Sequence, residues 1–252
     1  MSQVRLTKFG HACIRLDSDT AGVGSVVVDP GSFTDVPRAL LGAKYVFVTH
    51  NHADHLDVGA VTKALHDDGE LLLFGNNQVV ATLLGANVPR DQVFQIAAGR
   101  KIAVNQGTGQ AVVTPWDGWG VVIGGGWHAP IHSGLPRVRN VTLLFTEDGG
   151  TVYHPGDSLD LPNLDSATLG QDGGSTPGIL DVLCVPVSGP WLRLADAIDF
   201  IHDAEPRIVI PIHDGNNSEP GNQLAQMRLS DTALAGPIEY RRLAPGESIA
   251  IS

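Results

Sequence analysis

Cysteine is scarce in this chain: Cys13 and Cys184 are the two present among 252 residues. That number excludes a disulfide framework and a four-cysteine zinc knuckle, and because each sits in an apolar stretch, a buried thiol is expected. No segment approaches the roughly 18 apolar residues of a membrane span. Met1-Ser2-Gln3-Val4-Arg5-Leu6 also lacks the apolar core of a signal peptide. The expectation is a cytoplasmic protein with no membrane partner. No block of lysine or arginine offsets a formal net charge of −11, which opposes phosphate backbones, so no nucleic-acid partner is expected. The basic spots Arg137/Arg139 and Arg241/Arg242 read as solvated surface, with contact to a small anionic substrate as the alternative. Missing too are a Gly-x-Ser-x-Gly elbow, a Gly-x-Gly-x-x-Gly pattern and a phosphate loop, which removes support for serine-nucleophile, dinucleotide and nucleoside-triphosphate chemistry.

What is present is a well-mixed apolar sequence, 42% hydrophobic and 17% charged, with no linker. One domain over residues 1–252 is expected. Short β-rich runs recur at Val4–Phe9, Ala12–Leu16, Ser25–Asp29, Tyr45–Thr49, Glu70–Phe74, Lys101–Val104 and Ala111–Thr114. A second series follows at Gly120–Gly124, Val141–Thr146, Thr151–Tyr153, Asp181–Val187, Arg207–Ile212, Ile238–Arg242 and Ser248–Ile251. Helical spacing appears at Asp57–Asp68, Gln78–Leu84, Trp191–Ala204 and Gln223–Leu234. Leu159–Gly178 reads as a long loop. Val28-Asp29-Pro30-Gly31-Ser32 is echoed by His154-Pro155-Gly156-Asp157-Ser158, and Tyr45–His50 by Ile208–His213. Such echoes suit two sheet-and-helix halves packed face to face, with a site where strand ends meet.

The densest chemical signal is His50-Asn51-His52-Ala53-Asp54-His55, four potential ligands in six residues directly after an apolar run. Neutral imidazole is a good donor near neutral pH, and a carboxylate among histidines adds hard oxygen and negative charge. A polar loop with coincidental histidines does not explain that density. Three further apolar runs end in a candidate ligand: Val121–Trp127 before His128, Thr151–Gly156 before Asp157, and Ile208–Ile212 before His213. Strands ending on one edge would bring these together.

The ordered motifs resemble the metallo-β-lactamase superfamily: His50-x-His52-x-Asp54-His55, a later histidine, Asp157 in Pro155-Gly156-Asp157-Ser158, and His213. Gly10-His11-Ala12-Cys13 and Val28-Asp29-Pro30 narrow the resemblance to the branch of ascorbate-6-phosphate lactonase-like metal-dependent hydrolases. The resemblance implies an α/β fold, a four-layer αββα sandwich of two mixed β-sheets with helices outside. It implies two divalent ions, zinc first and manganese or iron as alternatives. His50, His52 and His128 would hold one, Asp54, His55 and His213 the other, and Asp157 would bridge them. The implied activity is hydrolysis of a small lactone, ester or phosphodiester by a metal-bridging hydroxide, with Asp54 orienting it or relaying its proton. An iron-containing oxidoreductase and a non-catalytic, metal-stabilised binding protein are the alternatives. The partner expected is a small-molecule substrate, and the chain is compatible with a homo-oligomer.

Other residues admit two readings. His132 competes with His128 as the third histidine, and otherwise stands on the substrate side. His11 and Asp29 are candidates for supporting the ligands or touching substrate, His11 equally a hydrogen-bonded core residue. His154 reads as packing beside the Asp157 turn, and His66 and His202 as solvated helix residues. Trp116, Trp119, Trp127 and Trp191 are either pocket walls or packing residues. Asn140-Val141-Thr142 and Asn216-Asn217-Ser218 match the glycosylation pattern, without consequence for a cytoplasmic chain.

Overall fold

A computed structural model describes residues 3–104, 118–147, 150–164 and 180–251. β-Branched and aromatic runs form the strands, which in chain order are β1 (Val4–Gly10), β2 (Cys13–Ser18), β3 (Val26–Val28), β4 (Tyr45–Val48), β5 (Leu72–Gly75), β6 (Val93–Gln95) and β7 (Arg100–Val104). They continue with β8 (Trp119–Gly125), β9 (Val141–Glu147), β10 (Gly150–His154), β11 (Val182–Pro186), β12 (Ile208–Ile212), β13 (Glu239–Tyr240) and β14 (Ser248–Ile251). The helices are α1 (Val36–Leu40), α2 (Val58–Asp67), α3 (Asn77–Gly85), α4 (Leu194–Ala204), α5 (Glu219–Leu229) and α6 (Thr232–Ala235).

The strands make two seven-stranded sheets, ordered β14-β1-β2-β3-β4-β5-β6 and β13-β12-β11-β10-β9-β8-β7. Both are mixed. In the first, β14, β1, β2 and β3 pair antiparallel and β3 to β6 parallel. In the second, β7 to β10 pair antiparallel and β10 to β13 parallel. The parallel strands β4 and β11 are buried at every residue, as strands covered on both faces must be. Their side chains sort by parity: Tyr45 and Phe47 point into the inter-sheet core, Val46 and Val48 toward the helices. In β11, Val182 and Cys184 face the other sheet while Leu183 and Val185 face α4.

Three apolar cores therefore separate four layers. One lies between the sheets around Leu6, Phe47, Trp119 and Phe145. A second joins the first sheet to α1–α3, a third the second sheet to α4–α6. This is the αββα sandwich with two mixed sheets and outer helices that the resemblance implies. Both cysteines are buried and free, and desolvation pushes the Cys184 thiol up to about 12. Among the described residues no helix is long and apolar enough to cross a membrane.

Some elements differ from the sequence expectation. The last helix begins earlier than Gln223, because the Ser218 hydroxyl accepts from Gly221 N and Pro220 lies in the first turn. It ends at Leu229, and Asp231 caps a separate short helix, so Gln223–Leu234 is two helices. The edge strand β6 and the one-turn α1 are too short to show periodicity. The expected strand Ala111–Thr114, Trp116 and 165–178 of the expected loop lie outside the described residues. Residues 159–164 belong to no strand or α-helix.

Candidate metal centre

The site assembles at the C-terminal ends of strands, where α/β sheets commonly bind ligands. His11 follows β1, Asp29 follows β3, His50 follows β4, His128 follows β8, Asp157 follows β10 and His213 follows β12. Tight turns aim these side chains inward. His11, Asp29 and His213 have φ of 45°, 49° and 56°, a left-handed backbone that non-glycine residues adopt at a cost of about 1–3 kcal/mol each. Two glycines permit close approach. A Cβ on Gly31 would fall 1.8 Å from the Asp54 carbonyl oxygen, and one on Gly156 (φ 59°) would fall 2.3 Å from Asn140 Oδ1.

Two groups of donors result, each with its ligand atoms within 4.8 Å of one another: His50, His52, His128 and Asp157, and His11, Asp54, His55 and His213. In the first, His50 Nε2 lies 3.1 Å from His52 Nδ1, and Asp157 Oδ2 is 3.1 Å from His128 Nε2 and 3.8 Å from His50 Nε2. In the second, His213 Nε2 is 3.4 Å from Asp54 Oδ2, which is 3.2 Å from His11 Nε2. Asp157 touches both groups, with Oδ1 3.0 Å from His55 Nε2 and Oδ2 3.2 Å from His213 Nε2.

Charge is uneven across them. Burial and the neighbouring His55 hold His50 well below the usual imidazole range, and burial and His128 lower His52. Both are therefore neutral lone-pair donors. Burial also acts against protonation of His55 and His213, but carboxylates outweigh it: Asp157 and Asp29 hold His55 well above its ordinary value, while Asp157 and Asp54 push His213 up to about 9. For Asp157 and Asp54, burial is overcome by histidine contacts, His55 first for Asp157 and His11 first for Asp54, and both carboxyls are held well below the carboxylate range.

The donors fit divalent ions. His55 Nε2 and Asp157 Oδ1 are buried, face each other at 3.0 Å and make no hydrogen bond, a combination that normally carries a penalty unless a cation satisfies both. Imidazole and carboxylate together suit zinc, manganese or iron.

Buried hydrogen bonds orient the donors. Asp29 Oδ2 accepts from His55 Nδ1 at 2.7 Å and from Thr49 Oγ1 at 2.7 Å, and Thr49 Oγ1 lies 3.1 Å from His50 Nδ1. One carboxylate thus fixes His55 directly and His50 through a hydroxyl, leaving each Nε2 for the site. His128 donates from Nδ1 to the Ala129 carbonyl at 2.6 Å, and Arg137 donates from Nε and Nη2 to the His128 carbonyl at 3.0 and 2.8 Å. Asn140 accepts from Asp157 N at 3.1 Å and donates to Pro155 O at 2.9 Å, clamping that turn. Asn76 donates to Thr49 O at 2.9 Å and Arg139 O at 3.0 Å, tying the His50 loop to β9's approach. Gly215 N donates to His11 Nδ1 at 3.1 Å, so neutral His11 carries its proton on Nε2, facing Asp54.

The structure thus brings His50, His52, Asp54, His55, His128, Asp157 and His213 together, with His11 beside Asp54 and Asp29 behind His55. His132 is not among them. It is exposed, and its Nδ1 accepts from Gly134 N at 3.0 Å. His154 is buried and bonds Ala12 O at 2.8 Å, while His66 and His202 are exposed. Trp119 is a buried core residue, and Trp191 stands 5.7 Å from the His128 ring and 6.1 Å from the His213 ring. Sequence reasoning missed Thr49, Asn76 and Asn140. Thr49 was legible as the polar residue ending β4's apolar run, whereas the asparagines act through partners distant in sequence.

Comparison with known proteins bears on this arrangement. Residues 5–213 match the family described as Beta-lactamase superfamily domain. The chain is 27% identical over 212 residues to Protein Rv0786c of Mycobacterium tuberculosis, covering 83% of this chain and 84% of that protein. It is 25% identical over 259 residues to a UPF0173 metal-dependent hydrolase of Opitutus terrae, covering 98% and 100%. It is 26% identical over 194 residues to a protein of Escherichia fergusonii named Probable L-ascorbate-6-phosphate lactonase UlaG, covering 70% of this chain and 50% of that one. In fold it is similar to Igni18, a metallo hydrolase from Ignicoccus hospitalis, with a TM-score of 0.66 at 19% identity over 100% and 99% of the two chains. Relatives named as metal-dependent hydrolases, the αββα sandwich and the paired His/Asp groups agree, and the chain belongs to the β-lactamase superfamily domain family.

Proposed function

We propose that this protein hydrolyses a small lactone, ester or phosphodiester with the help of two divalent ions. His50, His52 and His128 would hold one ion, Asp54, His55 and His213 the other, and Asp157 would face both. The observation that carries this reading is Asp157 itself, a buried carboxylate whose two oxygens reach histidines of both groups.

Bound there, a pair of divalent ions would supply Lewis acidity and bring the pKa of water toward neutrality. The chain's own residues do the rest. Asp54, held ionised by His11 and His213 and partly exposed, would orient attacking water or relay its proton. His11 Nε2 fixes that carboxylate by donating to Oδ2. Trp191, its ring T-shaped to those of His128 and His213, would limit water access beside the cluster.

The test is a substrate panel of lactones, carboxylic esters and phosphodiesters with protein reconstituted separately with zinc, manganese and iron, and metal content measured in each sample. The expected result is two ions per chain and turnover confined to one bond class. Inactivity on every bond class with both ions bound would sink the hydrolytic reading. Visible absorbance with stoichiometric iron in protein as purified would replace it with the oxidoreductase alternative.

A further inference from the structure

One face of the cluster opens into a cleft. His52, His128, Ala129 and Arg137 line it together with the aliphatic Ile131, Leu135, Pro136 and Val138 of the loop that follows His128, around about 250 Å³ that includes space open to solvent. The cleft is continuous with the donor atoms, so a molecule whose reactive bond met the cluster would lay its remaining atoms along this loop.

Apart from Arg137, the loop side chains that line the cleft are aliphatic and uncovered. Ile131 is 40% exposed and Leu135 53% exposed, although a loop with no apolar task would be expected to carry polar side chains there. Phe33, 51% exposed, stands at the His11 side with its ring 5.0 Å from that imidazole, and Trp191 closes the side above His128 and His213. Apolar side chains thus border the cluster on three sides.

Cations nearby already have partners. Arg137 donates from Nε and Nη2 to the His128 carbonyl, which braces the loop. The Arg139 guanidinium carbon sits 3.7 Å from the centre of the Trp127 ring, a cation–π contact. Lys8 is buried on Asp214 at 2.5 Å.

We propose that the cleft binds the apolar tail of the substrate, so that, given the hydrolytic reading above on which this rests, the bond cleaved is that of a lactone or ester carrying an aliphatic chain. Specificity then resides in Ile131 and Leu135, which make no bond to a donor residue.

The experiment uses the zinc-loaded full chain and two series. Binding of straight-chain carboxylates from butyrate to decanoate is measured by calorimetry, and turnover is measured on γ-lactones of matching chain length. Burial of each methylene in a half-open cleft predicts about two- to fourfold tighter binding, and the double variant Ile131→Ser, Leu135→Ser brings that below about 1.5-fold per methylene with metal content unchanged. Leu41→Ser, an equally apolar and 77% exposed position just before β4 begins, keeps the wild-type slope. Affinity independent of chain length, or a slope that survives the double variant, overturns the proposal. A binding slope without turnover of any γ-lactone leaves the cleft assignment standing and removes the lactone reading of the bond cleaved, while the hydrolytic reading is judged on the full substrate panel. Turnover without a slope does the reverse.

Discussion

The two donor groups lie side by side, yet they present themselves to a cation differently. His50 and His52 of the first are held neutral by burial and by neighbouring imidazoles. His55 and His213 of the second sit against carboxylates and are held protonated to higher pH. Similar side chains at the strand ends of the two sheets thus differ in readiness, because the second group has Asp29, Asp54 and Asp157 around its histidines. A ligand set read only as residue types hides that asymmetry.

Removing what the groups share is the severest way to break the comparison. Asp157→Asn keeps the shape and deletes the charge facing both groups. Turnover should fall by about a thousandfold or more, the order expected when metal-assisted charge stabilisation is lost, and elemental analysis should show fewer than two ions per chain. Full turnover with two ions retained would mean that Asp157 serves neither group.

Asp29→Asn tests whether support is shared as well. Because Asp29 reaches His55 directly and His50 through Thr49, the affinity of both groups should drop, by about 10- to 100-fold for loss of such a partner. Competition titrations with a chelator measure it. Weakening of only one ion would show that the Thr49 relay carries nothing.

Acidity gives the most discriminating effect. The His213 value of about 9 lies above the roughly 6.5 of an unperturbed histidine, so in chelator-stripped protein its contribution to stability is fully present below that lower value and is lost as pH rises through the upper one. A cation must displace this proton. Affinity of the second group should therefore rise between about pH 6.5 and 9, by up to about tenfold per pH unit for each proton released, while that of the first group stays flat. Equal pH dependence in both groups would erase the distinction.

Much of this centre was legible because its donors follow apolar runs. A strand that must be buried on both faces reads as continuous Val, Ile and Leu, and the polar residues within the next few positions mark the edge; among these are His50, His128, Asp157 and His213. The supporting residues resist such reading. Nothing local sets Asn76 or Asn140 apart from a surface asparagine, since their burial is created by segments far away in sequence. His11 lies between these cases: its motif was visible, but its proton position depends on Gly215 N, some two hundred residues later. The split of the last helix was missed for a smaller reason. Ser230 and Asp231 are tolerated within a helical spacing and become a stop and a cap only when packing leaves the first helix there.

Asn140 carries a practical consequence for producing the protein. It opens a glycosylation sequon, yet its side chain is fully buried and its amide nitrogen is committed to Pro155 O. A folded chain passing through a secretory host offers Asn216, which is exposed, and withholds Asn140. Sugar found at Asn140 would mark molecules captured before β9 closed against the Asp157 turn, and such material would be a misfolded fraction to discard, not a glycoform of the active protein.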